Sequence, residues 1–71
     1  MTWTEIETQW HQLKRQAQSK WTKLSDLDLA IVGGDRYRLI GKLEQRYGLP
    51  KELGEQHVDE WSRFEATPEQ G

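Results

Sequence analysis

The sequence predicts an all-α domain of four helices, folded as two hairpins that pack roughly orthogonally. Three observations carry this. Apolar residues recur at three- and four-residue spacing along most of the 71 residues. They nowhere alternate at period two, so each element with a buried face is read as helical. Capping patterns, Thr2-x-x-Glu5 and Ser25-x-x-Asp28, stand ahead of apolar runs, and glycines follow at Gly33-Gly34 and Gly48. These are the positions where helices start and stop. Short helices joined by tight turns cannot all lie parallel, so near-perpendicular hairpins are expected rather than a parallel bundle. The organising stretch is residues 24–61, centred on the glycine-bounded run 34–48.

The first helix is predicted over 3–24. Trp3, Ile6, Trp10, Leu13 and Ala17 form its stripe, continued by Trp21 and Leu24. Thr2 caps it. Glu5 and Glu7 lie at its start and Lys14, Arg15, Lys20 and Lys23 toward its end, the order that suits the helix dipole. With tryptophan in the a positions over about three heptads, the stripe reads as an intramolecular core face rather than a coiled-coil seam. A short helix over 26–32 follows Ser25, with apolar residues at Leu27, Ile31 and Val32, and Gly33-Gly34 stops it.

Asp35 caps a third helix, 36–47, whose apolar face is Leu39, Ile40, Leu43 and Tyr47, with Tyr37 on the flank of Ile40. Gly41 inside it costs about 1 kcal/mol relative to alanine, so it is expected to mark a close helix crossing. Gly48 ends this helix and Pro50 opens the fourth, 50–64. The expected buried stripe there is Leu53, His57, Trp61 and Phe64, with Val58 adjacent and Gly54 as a further contact. The folded domain is expected to span 1–64 and a flexible tail 65–71.

Only 34% of residues are hydrophobic, so the core is expected to come from something other than aliphatic bulk, supplied by four tryptophans, two tyrosines and one phenylalanine. Each buries about 150–250 Å². The expected core is Trp3, Ile6, Trp10, Leu13, Trp21, Leu39, Ile40, Leu43, Tyr47 and Trp61. Because the tryptophans fall on core periodicity, they are read as core rather than as a stacking platform for sugars or bases. There is no cysteine, which excludes disulfides and thiolate metal sites and suits a reducing compartment. The start, Met1-Thr2-Trp3-Thr4-Glu5, lacks the basic and apolar regions of a signal peptide. The longest apolar run, residues 29–32, falls far short of the roughly 20 residues of a membrane span. The expected location is cytoplasmic, with no membrane contact.

The net charge of −2 is unevenly spread. Residues 14–46 carry eight basic side chains against four acidic ones, and residues 51–71 two against six. In the plain reading, the basic middle packs beside the acidic last helix. In the sharper one, Arg36, Arg38, Lys42 and Arg46 form a surface for an anionic partner. The overall acidity favours the first, since nucleic-acid-binding domains are strongly basic.

No constellation of residues supports catalysis. His11 and His57 have no metal-ligand spacing, so neither a metal nor a cofactor is expected. Ser19, Ser25 and Ser62 do not sit in a nucleophile elbow. Asp59-Glu60 reads as helix surface, and a chain this small forms no deep cleft to raise a carboxylate pKa. The turn Val32-Gly33-Gly34-Asp35 lies at a helix N-terminus, an anion site in principle. It departs from the hydrophobic-Gly-hydrophobic-Gly of helix-hairpin-helix motifs, and Asp35 would oppose a phosphate. Weak nonspecific nucleic-acid binding through this turn with Arg36, Arg38 and Lys42 is therefore the alternative function rather than the leading one.

The chain resembles the CsbD-like family of small bacterial stress-response proteins. The marks are Trp10-x-x-Leu13-Lys14 and Lys20-Trp21-x-Lys23-Leu24, then Asp28-Leu29 and Gly33. The more specific block is Arg36-x-x-Leu39-x-Gly41-Lys42-Leu43-x-x-Arg46-Tyr47-Gly48, followed by Val58-Asp59-x-Trp61. Together they cover roughly residues 3–62. The resemblance implies a SAM-type arrangement of orthogonal helical hairpins, with no catalytic residues to carry over. It implies a non-enzymatic, cytoplasmic stress-response protein acting through protein contacts or as a soluble protectant. A monomer is expected, with any protein partner unidentified. Two departures stand out. Arg15-Gln16 occupies the place of a family glycine, and Gly34-Asp35-Arg36 that of Gly-Lys-Arg, which lowers the positive charge at the turn.

Overall fold

The computed structural model describes residues 1–66. Among them every regular element is helical: α1 (Trp3–Thr8), α2 (Trp10–Lys20), α3 (Asp26–Val32), α4 (Arg36–Tyr47) and α5 (Lys51–Glu60), which runs on into a π-helical turn, Trp61–Glu65. Among the described residues no helix is long and apolar enough to cross a membrane. The all-helical class holds, but the helix count of four does not.

The predicted first helix is two. It breaks at Gln9, which leaves the helical region (φ −107°, ψ 16°). Just before the break, the Thr8 hydroxyl donates to the carbonyls of Thr4 at 3.1 Å and Glu5 at 2.9 Å, the back-bonding that bends helices. The break lets one stripe follow a curved core: Ile6, Trp10, Leu13 and Ala17 are all buried. The helix also ends at Lys20 rather than at residue 24. Trp21 and Leu24 are buried even so, from a turn in which Leu24 N–H donates to the Trp21 carbonyl at 3.0 Å.

Both capping boxes form, Thr2 with Glu5 and Ser25 with Asp28. Gly33 and Gly34 take positive φ (56° and 83°), and Asp35 accepts the Arg38 N–H to cap α4. Gly34 is also a spacer. A Cβ there would lie 2.6 Å from the Glu7 Cα, so the turn seats directly on the backbone of α1.

Trp61 anchors the core. It is 1% exposed, and its ring meets Trp3 at 6.1 Å, Trp10 at 6.3 Å and Trp21 at 5.5 Å, tilted to the first and edge-on to the others. These are favoured aromatic geometries. The Trp10 indole N–H donates to the Leu29 carbonyl at 2.8 Å, so no polar atom is stranded by that burial. Of the expected core, Trp3 and Tyr47 are only half-buried and pack against its rim. The Tyr47 hydroxyl accepts the Lys23 N–H at 3.1 Å.

Three expectations about faces fail. Leu27 and Ile31 are exposed, whereas Asp28, Leu29 and Val32 are buried, a rotation that carries the Asp28 carboxylate to the cations on α4. On α5 the buried line is Gly54, Val58, Trp61 and Ser62, and Leu53, His57 and Phe64 lie outside. Gly54 faces Ile40, whose Cγ2 lies 3.4 Å from the position of an added Cβ, and that approach sets the rotation of the helix. The π-helical turn then closes with Ala66 N–H donating to the Trp61 carbonyl at 2.7 Å. The extra residue shifts the phase, so Ala66 is buried and Phe64, 79% exposed, is not. Gly41 is no crossing point within the chain, since an added Cβ there meets nothing within 4 Å. Gly34 and Gly54 fill that role. Of the expected tail, Glu65 and Ala66 belong to the folded body, with Glu65 bound to Lys20 at 2.8 Å; residues 67–71 lie outside the described residues.

Candidate functional site on α4

The four cations singled out in the sequence, Arg36, Arg38, Lys42 and Arg46, all stand on α4, and the fold gives them different neighbours. Lys42 and Arg46 are one turn apart and face α3, where the Asp28 carboxylate is almost fully buried. Arg46 binds it in parallel, Nε to Oδ2 at 3.1 Å and Nη2 to Oδ1 at 3.0 Å. Lys42 Nζ lies 3.1 Å from Oδ1. The Ser25 backbone N–H adds a bond to Oδ2 at 3.1 Å, so one carboxylate caps α3 and clasps α4. The Arg46 guanidinium and then the Ser25 amide hold the Asp28 carboxyl far below the usual carboxylate range, against the opposing effect of burial.

Arg36, at the start of α4, turns the other way. It grips Asp59 of α5, Nε to Oδ1 at 2.9 Å and Nη2 to Oδ2 at 3.1 Å. The pair lowers the Asp59 pKa and raises that of Arg36. This fork-to-fork geometry is the stronger kind of ion pair. Arg38 donates through Nη1 to the Ile31 carbonyl at 3.2 Å and, alone of the four, has no ion pair among the described residues. The basic middle segment thus divides its contacts between α3 and the acidic last helix.

Asp28 and Asp59 are the partners sequence reasoning did not identify, and Asp59, expected on the helix surface, is half-buried against Arg36. Asp28 was legible only as a cap, and its pairing with Arg46 spans 18 positions, beyond any local pattern. At the glycine turn the Asp35 carboxylate is committed to the Arg38 N–H at 3.1 Å.

Elsewhere the surface is shallow. A depression of about 280 Å³ is lined by His11, Gln12, Lys14 and Arg15, and one of about 300 Å³ by Lys20, Trp21, Tyr47, Leu49 and His57. The two histidines line different depressions. Among the described residues no three His, Cys, Asp or Glu side chains come together as metal ligands. The arrangement of α3, α4 and α5 is one of clasps that fix helices to each other.

No family model matches this chain, and no solved structure matches it. Curated relatives do. The UPF0337 protein YjbJ of Escherichia coli O6:H1 is 41% identical over 54 residues, covering 76% of this chain and 78% of the relative. The chain belongs to the UPF0337 family. The UPF0337 protein ECA0631 of Pectobacterium atrosepticum is 42% identical over 52 residues, 73% of this chain and 75% of that one. RPA4217 of Rhodopseudomonas palustris extends the UPF0337 likeness to 86% of this chain and 92% of its own, at 43% identity over 61 residues. None of these UPF0337 names states an activity, a ligand or a partner.

Proposed function

We propose that this UPF0337 chain is a CsbD-like stress-response domain, non-enzymatic and cytoplasmic, that acts through protein contacts or as an abundant soluble protectant. The observation that supports this is how its charged groups are used. The buried Asp28 and the half-buried Asp59 are bound to Arg46, Lys42 and Arg36 and hold helices together. Within this reading the fold is of the SAM type, two orthogonal helical hairpins, a reading supported by the tight turns at Gly33-Gly34 and Gly48. The test is a deletion strain grown in competition under salt and starvation, with cross-linking capture of the tagged chain from the same cells. A survival defect, with or without a captured partner, is the expected result; no defect and no partner overturns the proposal.

The nucleic-acid alternative keeps one of its three cations, Arg38, outside an ion pair. Its binding would weaken steeply with salt, and a low-salt mobility-shift titration without retardation disposes of it.

A further inference from the structure

The depression lined by Lys20, Trp21, Tyr47, Leu49 and His57 lies where the end of α2, the end of α4 and the outer face of α5 come together. Trp21 is buried, Leu49 is half-buried, and both pack into the core, so they give the depression a fixed apolar floor. Lys20 and His57 are exposed at its rim. No carboxylate lines it. The depressions over Trp61 and beside Trp3 carry Glu65 in one case and Glu7 with Asp35 in the other. The one at His11 has no aliphatic or tryptophan floor.

Its polar groups are donors with capacity left. The Tyr47 oxygen accepts the Lys23 N–H at 3.1 Å, and the phenol proton goes to no acceptor among the described residues. The Lys23 ammonium stands 5.2 Å from the centre of the Tyr47 ring and has no ion pair among the described residues. The His57 imidazole has no hydrogen-bond partner among them either. Lys20 lies 5.7 Å from the centre of the Trp21 ring and already holds one carboxylate, that of Glu65, at 2.8 Å. With Glu65 counted against Lys20, Lys23 leaves this edge positive in a chain whose net charge is −2. Two lysines at the end of α2 suit its dipole. That accounts for their sign, but not for an unspent phenol and imidazole beside an apolar floor.

The combination selects a ligand class. A volume of about 300 Å³ is at the low end for ligand pockets. It has room for one ring or a short chain with a headgroup. An inorganic anion would leave the floor uncovered, and a neutral hydrocarbon would leave the donors unmet. We propose that this depression binds small organic carboxylates whose body is a single aryl ring or a short alkyl chain. The body lies on Trp21 and Leu49. The carboxylate accepts the Tyr47 O–H and faces Lys23 and His57. With so few groups holding a small ligand, dissociation is expected at about 1 mM. The site stands whether or not the stress-response reading does.

Titration of the full chain with 3-phenylpropionate, followed by proton–nitrogen NMR, tests it, with circular dichroism confirming that each variant is folded. The Trp21 indole N–H and the His57 signals are expected to move together and to saturate with a midpoint of about 1 mM, while the Trp10 indole N–H stays in place. The uncharged 3-phenyl-1-propanol, which has the same body, is expected to bind at least about tenfold more weakly. Lys23→Gln and Tyr47→Phe are each expected to weaken binding of the acid about threefold or more. Lys14→Gln, in the depression at His11, is expected to leave it unchanged. Absence of a saturable shift up to about 20 mM overturns the proposal. So does an alcohol that binds as tightly as the acid, or an affinity that both Lys23→Gln and Tyr47→Phe leave intact. A loss with Lys14→Gln equal to that with Lys23→Gln also overturns it, since the attraction would then be to net charge rather than to this site.

Discussion

Arg46 and Asp28 face each other across the seam between α4 and α3 with two parallel hydrogen bonds, 3.1 and 3.0 Å long. Because the same carboxylate caps α3 and receives Lys42, its loss would strand two cations and loosen a helix start. Asp28→Ala is expected to lower the melting temperature by at least about 10 °C, measured by circular dichroism. Asp28→Asn, which retains an acceptor for the Ser25 amide, is expected to lose less.

The pH dependence follows from the sign of the shift. Asp28 and Asp59 both titrate lower in the folded chain than in the unfolded one. Between the two values the unfolded state binds more protons, so stability rises with pH there. Their contribution is complete above the unfolded carboxylate range, about pH 4, and is lost as pH falls below it toward the depressed folded values. Melting temperatures between pH 7 and pH 2.5 (about the accessible range) are expected to fall steeply at the acid end. Asp28→Asn is expected to flatten that fall, and an equal slope in the variant would show that Asp28 is not its source.

The tryptophan cluster is graded by burial. Trp61→Ala and Trp10→Ala are each expected to cost about 3–5 kcal/mol, close to the whole stability of a small domain. Trp3→Ala, at the half-buried rim, is expected to cost about 1–2 kcal/mol. Phe64→Ser, on a side chain facing water, is expected to stay within about 0.5 kcal/mol of wild type. Urea unfolding followed by tryptophan fluorescence ranks the four, and a large loss at Phe64 would contradict the phase shift of the π-helical turn.

The glycines divide by what their missing Cβ would meet. Gly41→Ala is expected to stabilise the chain by about 0.5–1 kcal/mol. Gly34→Ala combines a positive φ with a collision against the Glu7 backbone and is expected to cost at least about 3 kcal/mol. Gly33→Asn, in the left-handed region where an added Cβ makes only ordinary van der Waals contact with the Ala30 and Ile31 carbonyls, is expected to cost about 1 kcal/mol or less. Chemical denaturation of the three variants checks the order.

Much of this was legible from local pattern. Helices 26–32 and 36–47 begin and end where Ser25, Gly33, Asp35 and Gly48 place them, since caps and left-handed glycines act through bonds to residues three or four positions away. The α4 face Leu39, Ile40 and Leu43 was legible for the same reason. The misreadings share a cause. Leu53, His57 and Phe64 fit a helical stripe as well as Gly54, Val58 and Trp61 do, and only contact with Ile40 chooses between them. Leu27 and Ile31 are the more apolar choice on α3, yet an aspartate went inward because two cations waited for it. At the candidate site, the cations were legible from charge clustering, and their acidic partners were not, being 18 and 23 positions distant.

By itself the sequence determined that this chain is helical and where α3 and α4 start and stop, because periodicity and capping are encoded within one or two turns; the expectation that something other than aliphatic bulk fills the core fails, since nine Leu, Ile and Val side chains are buried beside Trp10, Trp21 and Trp61. The tertiary structure decided the break at Gln9, the rotation of α5, the phase shift after Glu60 and the engagement of Arg36, Lys42 and Arg46. Each of these depends on which surfaces meet across the fold, and no residue's near neighbours carry that information.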